Sequence, residues 1–154
     1  MKKKRTSKYG AIRTVYNGHT YASKAEAAYA NQLDLQVMGG LIHRWERGLP
    51  YMFPGGIKYV PDFYVVTNDF RMMPDGSLAQ AFYWVDVKGR ETPAFRLKMR
   101  LWLVHGPGKL ITVKKSGNGF KIDQEWIPGQ KAPVRKRKTK KRVVVVIRPA
   151  AGRS

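Results

Sequence analysis

Two carboxylates and an ammonium are spaced so that they could gather at one cation-binding site. Asp62 follows Pro61 in Val60-Pro61-Asp62-Phe63, and Asp86 sits in Trp84-Val85-Asp86-Val87-Lys88. Strand interiors disfavour aspartate, and an unpaired carboxylate among valines and aromatic rings is costly to desolvate. The side-chain period of two along a strand puts Asp86 and Lys88 on one face. If the strands around Asp62 and Asp86 pair across a hairpin, both carboxylates and the ammonium converge. Such a set suits a hard divalent cation, with the lysine able to orient or deprotonate a water. The plainer reading is a structural Asp86–Lys88 pair at a strand end, with Asp62 as a turn residue after proline. An Asp-x-Lys triplet alone is weak, since it occurs often by chance. The ordered spacing of Pro61-Asp62, then Asp86-x-Lys88 after three aromatic residues and before Gly89, is the more specific signal.

The remaining candidates are weaker. His19, His43 and His105 are scattered without metal-ligand spacing and read as surface or structural residues. Glu46 lies in an aromatic strand and reads as a surface acid. Arg96 and Lys98 stand just inside a helix, where they could meet phosphate or simply form a solvated face. Trp45, Trp84 and Trp102 read as core or interface. No glycine-rich phosphate loop of the P-loop or dinucleotide type is present. The chain has no cysteine, which excludes disulfides, thiolate zinc and thiol catalysis and suits a reducing cytoplasm.

These residues need elements to hold them. Asn17-Gly18 predicts a small hairpin or arm within Tyr9–Tyr21. Ser23-Lys24-Ala25-Glu26 is a capping box that opens a helix, with Tyr29, Leu33 and Val37 on one face and Gly39-Gly40 at its end. One or two strands are expected between Leu41 and Phe53, then a turn at Pro54-Gly55-Gly56. A strand follows over 58–66 with Pro61 near its start, then a polar hairpin loop over 68–80 and an apolar strand over 81–88. Thr92-Pro93 starts a second helix that runs to about His105. Phe95, Met99 and Trp102 lie on one side of it, with Leu97, Leu101 and Val104 beside them. Leu110–Val113 is a further strand, and Ser116–Gly119 turns into a last short one. The order predicts an α/β fold, a mixed central β-sheet flanked by helices.

Charge sets the partner class. The chain carries 30 Lys+Arg against 10 Asp+Glu, a net of +20, which points to a polyanion and away from an ordinary neutral metabolic enzyme. Residues 1–8 form a basic N-terminal tail with five basic residues. Residues 131–154 form a basic C-terminal tail with ten, and neither tail has an acid. The body, 9–130, is left with a net of only +5. Arg135, Lys136, Arg137, Lys138, Lys140, Lys141 and Arg142 are the expected phosphate contacts of the C-terminal tail. Within that tail Val143–Ile147 reads as a strand seeking a sheet edge. No apolar run approaches the roughly 18 residues of a membrane span, and the basic N-terminus lacks the apolar stretch of a secretory signal.

Taken in order, several segments resemble the PD-(D/E)XK nuclease superfamily. They are Lys8-Tyr9-Gly10, Tyr21–Tyr29 with Glu26 inside it, Gly40-Leu41-Ile42, Tyr59–Phe63, Val85–Gly89 and Thr92–Lys98. The likeness spans roughly residues 8–115. It is closer to one branch, small phage-encoded proteins grouped as a domain of unknown function and similar to Holliday junction resolvases. That resemblance implies a restriction-endonuclease-like αβββαβ core. It assigns Asp62 and Asp86 as metal-binding acids together with the Val87 carbonyl, and Lys88 as the residue that handles the attacking water. It assigns Glu26 as the first-helix acid that completes the metal site, although a capping box explains Glu26 equally well. The superfamily's third acid is often glutamate, and Asp86 is one methylene shorter. The cofactor implied is Mg²⁺, with Mn²⁺ able to substitute. The partner implied is branched DNA, cut to leave a 5′-phosphate and a 3′-hydroxyl. Cleaving a branch takes two cuts, hence a homodimer, in the cytoplasm of a bacterial or phage-infected cell. The rival expectations are a flap or nicking nuclease acting as a monomer and a non-catalytic basic nucleic-acid-binding protein.

Overall fold

The computed structural model describes residues 10–134. Asn17 and Gly18 both take positive φ, 48° and 75°, and so form the tight turn that joins β1 (Thr14–Tyr16) to β2 (His19–Tyr21). Helix α1 (Lys24–Met38) starts at Ser23, whose Oγ accepts the Glu26 amide at 3.1 Å. The Glu26 carboxylate reaches back to the Ala22 amide, 3.2 Å, and the Ser23 hydroxyl, 3.0 Å. The reciprocal bond of the capping box thus lands one residue before the cap. Ala27, Tyr29, Ala30 and Leu33 are buried. Val37 is exposed together with Leu35 and Met38, so the expected stripe stops at Leu33 and the last turn lies outside the core.

Five strands form the central sheet. Between β3 (Ile42–Arg47) and the rest lies a separate small hairpin, β4 (Tyr51–Phe53) with β5 (Ile57–Tyr59). The sheet continues with β6 (Phe63–Met72) and β7 (Leu78–Val87). Helix α2 (Pro93–His105) crosses over to β8 (Leu110–Ser116), and β9 (Gly119–Trp126) closes the series. The spatial order is β3-β6-β7-β8-β9, antiparallel except for the β7–β8 pair that α2 connects. This is the mixed α/β sheet with two helices that the element order predicted.

Two expectations are corrected. The single strand over 58–66 is broken: β5 ends at Tyr59 and β6 begins at Phe63, because Pro61 has no amide to give a ladder. The loop over 68–80 is instead the far end of a β-ribbon, with Phe70 opposite Gln80 and Met72 opposite Leu78, and only residues 73–77 turn. Its polar composition reflects a ribbon that runs past the packed layers, where no apolar face is demanded. Strand β9 is also longer than expected and brings Trp126 into the core.

Each face of the sheet carries one helix. Phe63, Val65, Val85, Ile111 and Val113 pack with α1 and the first hairpin. Trp84, Leu110 and Trp126 pack with Phe95, Met99 and Trp102 of α2 and with Phe53 and Tyr59 of the β4–β5 hairpin. Trp102 is fully buried, ringed by Tyr51, Phe53, Tyr59 and Trp84 at centroid distances of 5.3–6.3 Å, and its indole donates to the Gly108 carbonyl at 2.9 Å. Gly106 ends the helix against this ring; a Cβ there would sit 2.8 Å from the indole. On α2, Leu97 and Val104 are exposed, so the buried stripe is narrower than the apolar pattern suggested. Among the described residues no helix is long and apolar enough to cross a membrane. The segment Val143–Ile147 lies outside the described residues.

Candidate functional site

The site forms where β6 begins and β7 ends. Phe63 faces Val85, so the next β7 amide in line, Val87, would need an acceptor from Pro61 or beyond. Asp62 provides it: its Oδ2 accepts the Val87 N–H at 2.7 Å. The carboxylate does the work of the missing strand residue and is thereby held at the strand end. Asp86 is buried, 2% exposed, on the α2 face of the sheet. Its Oδ2 accepts the Tyr59 hydroxyl, and Lys88 Nζ lies 2.8 Å from its Oδ1. Asp86 and Lys88 therefore share a face, as the strand period requires. The Lys88 contact is an ion pair without hydrogen-bond angles, so among the described residues Asp86 Oδ1 has no hydrogen-bond partner. The other side of the ammonium rests on the Phe95 ring, 4.5 Å from its centroid.

Asp62 is half-buried and lines an open cleft of about 330 Å³ with Tyr21, Glu26, Arg47, Gly48, Val60, Pro61 and Phe63. Burial first, then the charges of Asp86 and Glu26, push its carboxyl well above the usual carboxylate range, against the pull of the Val87 amide and Lys88. Burial, followed by the Asp86 charge, likewise pushes the Tyr59 hydroxyl well above its usual value, so it stays a donor. The site thus holds more negative charge than its surroundings stabilise.

Glu26, Asp62, Asp86 and Lys88 are brought to one end of the sheet, with Glu26 across the cleft from β6 and spending its oxygens on the helix cap. Lys98 also approaches: its Nζ sits 5.6 Å above the Tyr59 ring. Arg96 is exposed on α2. Arg135, Lys136, Arg137, Lys138, Lys140, Lys141 and Arg142 lie outside the described residues. Glu46 pairs with Arg44, and His19, His43 and His105 are all exposed.

Two neighbours carry no clear signal in the sequence. Tyr59 reaches Asp86 from the β4–β5 hairpin, and Arg47 sits on the cleft rim, 4.2 Å over the Tyr21 ring, donating to the Thr20 carbonyl at 2.8 Å. The rim is fixed by Asp34, which accepts from Tyr16 at 2.7 Å and from the Trp45 indole at 2.9 Å and so ties the first hairpin to α1 and β3. The only local hint of Arg47 is its place at the end of an aromatic strand, before Gly48.

Among the described residues no group of three or more His, Asp or Glu side chains is positioned to hold a metal ion. The residues present nevertheless fit Mg²⁺, which is commonly bound through one or two carboxylates while water and substrate phosphate fill the other positions. Asp62 and Asp86 supply hard oxygens, Asp86 Oδ1 makes no hydrogen bond beyond its ion pair with Lys88, and the raised Asp62 carboxyl marks charge that a cation would offset. No curated protein and no solved structure matches the chain. Residues 6–118, from before the first hairpin through β8, match the family described as "Protein of unknown function (DUF1064)". That span contains every candidate residue around the cleft, and the chain belongs to the DUF1064 family.

Proposed function

We propose that this protein is a Mg²⁺-dependent endonuclease of the PD-(D/E)XK type that hydrolyses phosphodiester bonds in branched DNA such as Holliday junctions. The observation that carries the reading is the meeting of Asp62, Asp86 and Lys88 at the facing ends of β6 and β7, beside an open cleft. Asp62 and Asp86, with the Val87 carbonyl, would hold Mg²⁺ or Mn²⁺. Bound there, the cation would stabilise the extra negative charge that builds on the phosphate during in-line attack. The chain's own groups have distinct parts. Lys88, held between Asp86 and Phe95, presents an ammonium that aligns a water for attack. Tyr59 fixes the Asp86 carboxylate. Arg47 stands at the rim, where its guanidinium can meet a phosphate oxygen. Two cuts across a branch ask for two such sites, hence a homodimer. The test is incubation with four-way, flap, single-stranded and linear duplex DNA in Mg²⁺, beside a Lys88→Ala control. Cleavage of the four-way substrate by the intact chain alone is expected. Binding without any cleavage would leave a basic nucleic-acid-binding protein.

Glu26 separates cap from ligand. Glutamine can still accept the Ala22 amide, so Glu26→Gln should keep stability to within the roughly 0.5–2 kcal/mol that a cap is worth. Cleavage should nevertheless fall about 10–100-fold, as when the supporting shell of a metal site is altered. Full activity in the glutamine variant would confine Glu26 to the cap.

The tails supply affinity that does not depend on DNA shape. Deleting residues 131–154 removes ten of the 30 basic residues and no acid, taking the net charge from +20 to +10. For every phosphate that the shortened chain no longer neutralises, the slope of log affinity against log salt should fall by about 0.9. Four-way and linear DNA should weaken alike, and cleavage at saturating enzyme should survive. Unchanged affinity at moderate salt would give recognition to the body alone.

A further inference from the structure

The ribbon that continues β6 and β7 beyond the packed layers differs from the rest of the molecule. Residues 68–80 contain Asp69, Asp75 and Arg71, a net of −1 within a chain of +20. Phe70, Met72 and Leu78 are 63%, 76% and 68% exposed, with Met72 directly opposite Leu78. Among the described residues, β3 flanks β6 only as far as Thr67, and β8 flanks β7 only from Trp84. The Asn68 side chain donates to the Gly40 carbonyl at 2.7 Å, just where the cover of β3 ends, and Leu41 beside it is also exposed. Unpaired strand edges that carry exposed apolar side chains are templates for pairing. Nucleic acid is a poor occupant, since its phosphates would meet two carboxylates for one guanidinium.

We propose that this ribbon is a self-association surface, on which the outer edge of β6 pairs antiparallel with the same edge of a second copy about a two-fold axis at Phe70. The sequence Asn68-Asp69-Phe70-Arg71-Met72 is self-complementary in that register. Phe70 faces the partner's Phe70, Asn68 faces the partner's Met72, and Asp69 faces the partner's Arg71. The two-fold axis repeats the charge pair. Arg71 is already aligned along the ribbon by the Phe82 ring, 4.5 Å from its Cζ. Two chains of net +20 repel each other, and the ribbon, at −1, adds nothing to that repulsion where they would meet. The inference rests on the homodimer of the nuclease reading and names its interface, and because it is tested without DNA its failure leaves the cleavage chemistry to be judged separately.

The test is sedimentation equilibrium of the full chain at moderate salt across the micromolar range. A dimer is expected. Asp69→Arg and Arg71→Asp should each weaken it about tenfold or more, because two facing pairs change from attraction to repulsion. An equimolar mixture of the two variants should restore the dimer, since each arginine at one position then meets an aspartate at the other. Phe70→Ser with Met72→Ser should give a monomer that still unfolds cooperatively, at a melting temperature that no longer rises with protein concentration. If that pair fails to fold, the two charge variants, both at exposed positions, still decide. A monomeric intact chain, a dimer indifferent to the charge changes, or a mixture that stays monomeric would each overturn the proposal.

Discussion

Asp62→Asn, Asp86→Asn and Lys88→Ala are each expected to slow DNA cleavage about 10²–10⁴-fold while leaving binding intact, the range in which a positioned acid or base contributes. Of the two asparagine variants Asp62→Asn is the cleaner, since Asp86→Asn turns an amide NH2 toward the Lys88 ammonium that pairs with Oδ1. In Asp62→Asn the side-chain amide oxygen can still accept the Val87 N–H, and in Asp86→Asn it can still accept the Tyr59 hydroxyl. Each change therefore removes charge and keeps the hydrogen bond. Neither removes a positive group, so affinity for DNA should hold or rise slightly. Lys88→Ala is less clean, because it leaves the buried Asp86 carboxylate without its cation and so costs stability. Its melting temperature must therefore be measured with its rate, and the rate taken below the temperature at which it begins to unfold. Ca²⁺ should support binding but not cutting, since its looser coordination holds a water less firmly than Mg²⁺ does. The measurement is single-turnover cleavage of four-way DNA with purified protein. A near wild-type rate in either aspartate variant would remove that residue from the site.

The parts of this arrangement that are legible in the sequence are those fixed by local rules. The period of two sets Asp86 and Lys88 side by side, and Ser23, Gly39, Thr92 and Gly106 mark the helix ends. Asp62 and Asp86 come together because one hairpin joins their strands. Tyr59 and Arg47 are not legible, because each reaches the site from a different element, and tertiary packing rather than spacing decides where a tyrosine or an arginine ends up. The ribbon is hidden for a related reason. Alternation between polar and apolar residues signals a strand when one side is buried, and this stretch has neither side buried, so its turn residues outweigh its pattern. Val37 fits the helical stripe but stays exposed, because the core ends a turn before the helix does.

Asp62 should also prove to be a cost to the metal-free fold, in a way that a cation reverses. Burial and the charges of Asp86 and Glu26 raise its carboxyl above the ordinary value of 3.8. Between 3.8 and the raised value the folded chain therefore holds more protons at this position than the unfolded chain, so stability falls as pH rises through that window. Below the window both states are protonated and the residue costs nothing through its charge. Above it the full penalty is present. Asp62→Asn carries no such charge, so in a chelator its melting temperature should match the intact protein in acid and exceed it increasingly toward neutral pH. Mg²⁺ or Mn²⁺ takes the place of the proton. At about a hundred times its dissociation constant a ligand contributes about 2.7 kcal/mol to the folded state. For a domain of this size that is a rise of roughly 5–15 °C, expected in the intact protein and absent from the variant. The order of the two melting temperatures should then invert at neutral pH when the metal is added, and the metal's effect should fade on acidification as protons compete for Asp62. Thermal melts of the two proteins from acid to neutral pH, with chelator and with Mn²⁺, test this directly. A gap that does not change with pH would show that Asp62 is not strained by its neighbours. An intact protein whose melting temperature ignores millimolar Mn²⁺ would show that the two carboxylates do not hold a cation.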